Sequence, residues 1–255
     1  MKTITVIGSG NVATHISVAL KVSGYTIKEV YSRSMLNASQ LADKVDAVAL
    51  DNISSINKEC DLYIISVADN SIEGVVENMP HVKGVVAHTA GSVDVSVLKR
   101  FESYGVFYPF QTFTKDKALN FKEIPILVEA NNLESQSFLM DIAKTISGRV
   151  EKADGKKRAL LHVSAVFACN FVNHLYTHAH NLLELGNLDF SLLQPLIEET
   201  TQKALSMDPH KAQTGPAVRN DKKVMDKHLS MLDKEGYSYK LYELLSESIV
   251  KYHLK

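Results

Sequence analysis

The run Gly8-Ser9-Gly10-Asn11-Val12-Ala13 is a G-x-G-x-x-A pattern, and its spacing suits one piece of chemistry: holding a pyrophosphate. Gly8 permits a tight turn and Gly10 lets the main chain approach the phosphates. Ala13 lets the following helix pack closely on the preceding strand. The free N–H groups and positive end of that helix, together with Ser9, Asn11 and Val12, would face the anion. A second group, Ser32-Arg33-Ser34, falls where such a fold meets the adenosine ribose. A carboxylate there would hold the 2′-hydroxyl of NAD, but this segment has none. Arg33 can pair with a 2′-phosphate through two N–H groups, so NADP is expected over NAD. Ser34 would cap the next helix and can bind as well.

Three further groups could do chemistry. Val67, Ala68 and Asp69 end an apolar run, at the point where ligands of open α/β sheets sit, and Asp69 or Asn70 could also cap a helix beginning near Ile72. His88-Thr89-Ala90-Gly91-Ser92 puts an imidazole, hydroxyls and a flexible backbone at another strand end. Tyr108-Pro109-Phe110-Gln111-Thr112-Phe113 mixes aromatic and polar side chains without period, as a cleft-lining loop does.

These groups must be positioned by regular elements. Ile4-Thr5-Val6-Ile7 reads as a strand buried on both faces, and apolar residues then recur at Val12, Ile16, Ala19 and Leu20 with helical spacing. Strands are expected over residues 25–31, 47–50, 62–67, 84–87, from 106, 126–129 and 149–151, with helices at 38–44, from 72 and at 133–146. That alternation predicts an α/β fold with a doubly wound parallel sheet over residues 1–153. Residues 154–255 show no strand pattern and predict an all-α second domain. Its helices are expected at 156–185, 190–207, 222–235 and 238–254, with Pro195 in a first turn or kink. The polar stretch 208–221 (DPHKAQTGPAVRND) is long for a helix connection and is stiffened by Gly215-Pro216. It is expected to be an ordered loop that closes over the cleft, with Lys211 or Arg219 meeting an anionic group of the substrate or the cofactor and Thr214 a further substrate-binding candidate. The alternative is an Arg219–Asp221 pair that only holds the loop together.

Composition sets outer limits. A net charge of −1 offers no basic excess for a polyanion, so no nucleic-acid partner is expected. Cys60 and Cys169 form no metal or redox spacing and are expected to be buried thiols, with no metal site. The first strand follows Met1-Lys2-Thr3 directly, and no apolar run was found to reach the length of a membrane span, so the expectation is a cytoplasmic protein without a membrane partner.

VIGSGNVATH, HTAGS, YPFQTF, HVSAVFACN and HKAQTGPAVRND occur here in one order. Across essentially the whole chain they resemble the Rossmann-like proteins that carry the domain DUF2520. Those proteins lie near β-hydroxyacid dehydrogenases, pyrroline-5-carboxylate reductases and F420-dependent NADP reductases. The resemblance implies an N-terminal dinucleotide domain, a helical C-terminal domain, NAD(P)-dependent oxidoreduction, and homodimers formed through the helical domain. In β-hydroxyacid dehydrogenases a catalytic lysine is followed one turn later by an asparagine. Asn170 is similar to that asparagine, but Val166 stands one turn before it and His162 a turn earlier again. On a straight α-helix His162 and Asn170 would diverge by about 80° and lie about 12 Å apart along the axis, while Asn173 would fall within about 20° of His162.

Together these residues predict an NADP-dependent reductase of a small carbonyl or imine in an interdomain cleft. His162, Asn170 and His88 are its catalytic candidates, and Ser92, Gln111, Asn173, Lys211, Thr214 and Arg219 its substrate-binding ones. The alternatives are a non-catalytic NADP-binding sensor, consistent with the missing lysine, and F420 as hydride partner.

Overall fold

The computed structural model describes residues 1–115 and 117–253. Its N-terminal part is an eight-stranded sheet in the order β3-β2-β1-β4-β5-β6-β7-β8. The strands are β1 (Thr3–Ile7), β2 (Thr26–Tyr31), β3 (Val48–Leu50), β4 (Leu62–Ile65), β5 (Val85–His88), β6 (Tyr104–Pro109), β7 (Ile126–Ala130) and β8 (Val150–Lys152). Helices α1 (Asn11–Val22), α2 (Met35–Val45), α3 (Ile72–Asn78) and α4 (Leu133–Ile146) connect them.

Both faces of the sheet are covered, as the apolar strands require. Ile4 and Val6 of β1 point into a core shared with Ile16 and Leu20 of α1, Leu41 of α2 and Leu139 and Ile142 of α4. Ile7 points the other way, into a core with Ile65, Tyr63 and the α3 residues Ile72 and Val76. Each such side chain contributes roughly 1.5–3 kcal/mol by leaving water.

The sheet is not wholly parallel. β1 to β6 run parallel, whereas β7 pairs antiparallel with β6, and β8 runs parallel to β7. A parallel return needs a crossover, usually a helix. Among the described residues between β6 and β7 the helical structure is one 3₁₀ turn, Phe121–Glu123, so the chain comes back as an antiparallel neighbour.

The long helix begins at Gly155 and ends at Leu185, as α5 (Gly155–Ala165), a π-turn (Val166–Phe171) and α6 (Val172–Leu185). A π-turn bonds i to i+5 and advances less than 100° per residue. The straight-helix angles from His162 to Asn170 and Asn173 therefore do not hold. The helix is also long and apolar enough, by length and composition, to cross a membrane, with a mean hydropathy of 1.2 over its best window. Polar residues such as His162, Asn170, Asn173 and His174 interrupt it, so it contains no unbroken apolar run of that length.

By compactness the chain divides into Met1–Cys169 and Asn170–Lys255. The division falls inside the long helix, whereas composition placed it at residue 153. The start of α5 belongs with the sheet because Arg158, wholly buried, pairs with Glu129 of β7 and donates to the Val93 carbonyl at 3.0 Å.

The second unit contains α6, α7 (Gln194–Ser206), α8 (Pro209–Ala212), α9 (Lys222–Ser230) and α10 (Tyr237–His253). Pro195 sits in the first turn of α7, where it costs no hydrogen bond. The expected end of the last helix, Leu254, lies outside the described residues. Histidines tie these helices together: His178 Nδ1 is 2.8 Å from Ser238 Oγ, and His228 Nδ1 is 2.8 Å from the Tyr242 hydroxyl. Residues 208–221 contain the single turn α8, and Asp221 caps α9 through the Val224 N–H. Among the described residues Arg219 forms no ion pair with Asp221. Cys60 is buried as expected, but Cys169 is exposed, because the π-turn that carries it buries none of its residues.

Candidate functional site

The strand order reverses between β1 and β4, and a ligand crevice is expected outside the carboxyl ends of strands at such a switch. A cleft of about 850 Å³ lies there. Its floor is Gly8 to Val12. One side is Tyr31, Ser32 and Arg33, the other Ser66 to Asp69 with Thr89.

The two glycines of the turn do different things. Gly8 has φ +119°, and its N–H donates to the Tyr31 carbonyl at 2.8 Å. A Cβ added there would stand 2.1 Å from the Ser66 carbonyl oxygen, so β1 and β4 can approach only over a glycine. Gly10 lines the cleft, and a Cβ there would meet nothing within 4 Å. No contact within the protein demands a glycine at that position, while a phosphate lying against the turn would. Gly10 is the N-cap of α1 and supplies no capping side chain, so the first-turn N–H groups of the helix remain open to an anion. These features fit a dinucleotide.

At the ribose end Ser9 Oγ donates to Ser32 Oγ at 3.0 Å. Arg33 is exposed on the cleft wall and forms no ion pair among the described residues. Ser34 caps α2 by accepting from the Asn37 N–H at 3.4 Å. Asn52 and Ser54, after β3, complete this wall, as do Ser71, Gly74, Val75 and Asn78 around α3. Sequence reasoning did not assign these residues to the site. The small residue and short polar chain at Gly74 and Asn78, four apart on one helical face, were the available signal.

Val67, Ala68 and Asp69 line the opposite wall. Neither Asp69 nor Asn70 caps α3, since residues 69–71 form a 3₁₀ turn and the N-cap position, Ser71, makes no side-chain bond. The Asp69 carboxylate instead accepts from Ser92 Oγ, fastening the loop after β5 to the end of β4. Thr89 Oγ1 similarly donates to Ser66 Oγ at 3.1 Å.

His88 is wholly buried at the end of β5. Its Nδ1 accepts from the Ala90 N–H at 3.2 Å, and among the described residues Nε2 meets no partner within hydrogen-bond geometry. Burial, then the Arg158 charge, push its pKa down to about 4, against the opposing pull of Asp69 and Asp94. The ring is therefore neutral at pH 7.

Beside it, on β6, the Tyr108 hydroxyl lies 3.2 Å from His162 Nδ1 on α5. The Tyr108 ring rests on Gly91, where a Cβ would come within 2.7 Å of it. Burial, and then the Asp69 charge, raise the Tyr108 pKa. Sequence reasoning selected His162 but not Tyr108; the aromatic run around Gln111 was the only hint. Gln111 itself turns back, its Oε1 accepting from the Thr112 N–H at 2.8 Å. The rest of that loop is held on α1, where Asn11 Nδ2 donates to the Phe113 carbonyl and His15 Nε2 lies 2.9 Å from the Thr114 carbonyl. The structure thus brings together the Gly8 turn, Arg33 and Asp69, with Ser92 bonded to Asp69, and places Tyr108 against His162 and Gly91, on the strand next to the one that carries His88. Asn170, Asn173, Lys211, Thr214 and Arg219 belong to the second unit.

The sheet order, the glycine turn at its switch point and the covered faces define a Rossmann-type α/β protein. Family models match a Rossmann-like domain over residues 2–109 and the domain of unknown function DUF2520 over residues 124–249. The chain belongs to the family of Rossmann-like proteins that carry the DUF2520 domain. It is 43% identical to a Bacteroides fragilis protein described as a candidate NADP oxidoreductase, with 98% of each chain covered and a TM-score of 0.90. A Thermotoga maritima protein shares the fold at 20% identity, with 98% of each chain covered and a TM-score of 0.74. So does an imine reductase from Myxococcus stipitatus solved with NADP+, at 14% identity, 99% and 100% coverage and a TM-score of 0.67. No curated protein matches the chain.

Proposed function

We propose that this protein is an NADP(H)-dependent oxidoreductase acting on a small carbonyl or imine. The observation that carries the reading is the open cleft at the switch point, where Gly10 leaves room for a phosphate and Arg33, without an ion pair among the described residues, stands at the ribose end. The relationship to a candidate NADP oxidoreductase supports it.

On this reading the α1 N–H groups, Ser9 and Asn11 hold the pyrophosphate, and Ser32, Arg33 and Ser34 hold the 2′-phosphate. Val67, Ala68 and Asp69 line the path toward the nicotinamide. Bound there, the cofactor supplies the hydride. The chain supplies position and a proton. Asp69 and Ser92 brace one wall, and the neutral His88 supports the turn at Ala90. Asn170, Asn173, Lys211, Thr214 and Arg219 are proposed as substrate-facing on sequence grounds alone, and so is Gln111, which would have to turn from Thr112.

We also propose a homodimer through the helical region and a cytoplasmic setting. Leu160, Val163, Leu175, Leu182 and Leu185 of the long helix are exposed in the single chain, which a second copy would cover.

Fluorescence titration with NADPH, followed by NADPH oxidation across a carbonyl and imine panel, tests the enzyme reading. Tight binding with turnover of at least one panel member is expected. Binding without turnover of any would instead identify a sensor.

A further inference from the structure

We propose that Tyr108 is the residue that gives the substrate its proton, and that His162 recharges it. This rests on the hydride-transfer reading above.

Reducing a carbonyl or imine needs a proton as well as a hydride, and most polar groups at this end of the sheet are already committed. His88 has no exposure and is neutral at pH 7, with one nitrogen held by the Ala90 N–H. The hydroxyl protons of Ser92 and Thr89 go to Asp69 and Ser66. Arg158 is wholly buried against Glu129 and the Val93 carbonyl.

Tyr108 is different. It sits at the carboxyl end of β6, next to the end of β5, and only half-buried. Gly91 is the reason the ring can lie there, since any side chain at that position would strike it. Ser92, the residue after Gly91, donates to the Asp69 carboxylate, which lines the dinucleotide cleft, so the phenol resting on Gly91 lies next to the residues that brace the cleft wall at Asp69. The burial that discourages ionisation keeps the phenol protonated at neutral pH, as a donor must be.

The partner nitrogen completes a relay. His162 is partly exposed, and its Nδ1 faces the phenol at 3.2 Å. When His162 carries both protons, Nδ1–H donates to the phenol oxygen, and the Tyr108 O–H is free to point at substrate. As the substrate carbon gains its hydride, the C=O or C=N π pair moves onto oxygen or nitrogen. That atom takes the Tyr108 proton, the O–H electrons stay on the phenol oxygen, and the phenolate takes the Nδ1 proton. Water reprotonates the imidazole. One hydride and one proton from water are consumed, and both side chains return to their starting state.

The test uses the full chain and Tyr108→Phe, which keeps the ring on Gly91. Two probes are offered with NADPH: an aldehyde, whose oxygen must be protonated, and an N-alkylated cyclic iminium ion, whose nitrogen cannot be. Loss of the hydroxyl should lower aldehyde reduction by about 10²–10⁴-fold and iminium reduction far less. NADPH binding by fluorescence should stay unchanged. Nitrogen NMR of the His162 ring should report a changed Nδ1 environment in the variant, independent of turnover. Equal losses on both probes, or an unchanged His162 spectrum, would overturn the relay. A wild-type chain that binds NADPH but reduces neither probe overturns proton donation together with the enzyme reading. Failure to bind NADPH at all overturns the cofactor reading, while the NMR arm still decides whether Tyr108 and His162 are coupled.

Discussion

A Cβ on Gly8 would stand 2.1 Å from the carbonyl oxygen of Ser66, whereas one on Gly10 would touch nothing. The two glycines of one motif therefore have separable roles. Gly8→Ala should cost more than about 2 kcal/mol of stability, since it combines a left-handed backbone with a main-chain collision. Gly10→Ala should stay within about 1 kcal/mol of wild type and yet weaken NADPH at least tenfold, about 1.4 kcal/mol. Urea denaturation and fluorescence titration of both variants check this. Equal stability losses would refute the division of labour.

Arg33 stands at the ribose end of the cleft with no acidic residue beside it in Ser32-Arg33-Ser34. Wild type should bind NADPH more tightly than NADH, and Arg33→Ala should remove about tenfold from NADPH alone, the scale of one solvent-exposed charge-assisted contact. Calorimetry reads both affinities. Equal affinities in wild type would sink the assignment.

The Arg158 guanidinium is wholly buried and faces Glu129, which is only partly exposed. Removing the cation strands a carboxylate beside the sheet, so Arg158→Ala should destabilise by about 3–5 kcal/mol. Glu129→Gln, which keeps an acceptor, should cost less. Denaturation midpoints rank the two, and a Glu129→Gln loss as large as the Arg158→Ala loss would refute the ranking, because Arg158→Ala also removes the carbonyl contacts to Val93 and Ala153.

His88 gives a pH signature. Its folded pKa is about 4, below the ordinary value of 6.5. Above pH 6.5 the ring is neutral whether the chain is folded or not, so it leaves stability unchanged. Between 6.5 and 4 the unfolded chain binds a proton that the folded chain refuses, and stability falls as pH drops. The total loss is about 3 kcal/mol, levelling off below pH 4. His88→Asn should remove this component of the pH profile measured by denaturation. An undiminished slope in the variant would assign it to other groups.

The exposed leucines of the long helix predict a dimer at micromolar concentration, measured by sedimentation. Leu182→Glu should shift the chain toward monomer, because a charge cannot be buried unpaired at such a contact. A monomeric wild type would contradict the proposal.

The sequence by itself determined what depends on neighbours along the chain. The Gly8–Ala13 turn, the buried strand before it, the Ser34 cap and the long helix were legible because turn chemistry, capping and apolar period are local. Even here the averaging was coarse: the π-turn at Val166–Phe171 left no period to read. Tertiary structure decided the rest. It reversed β7 against β6, turned Asp69 from an expected cap to the Ser92 hydroxyl, and left Cys169 exposed. It also bound the start of α5 to the sheet through Arg158 and Glu129. Tyr108 and His162 are 54 residues apart, and no local pattern relates them. Their meeting depends on the strand order and on the missing side chain at Gly91, which are properties of the packed sheet and not of either segment.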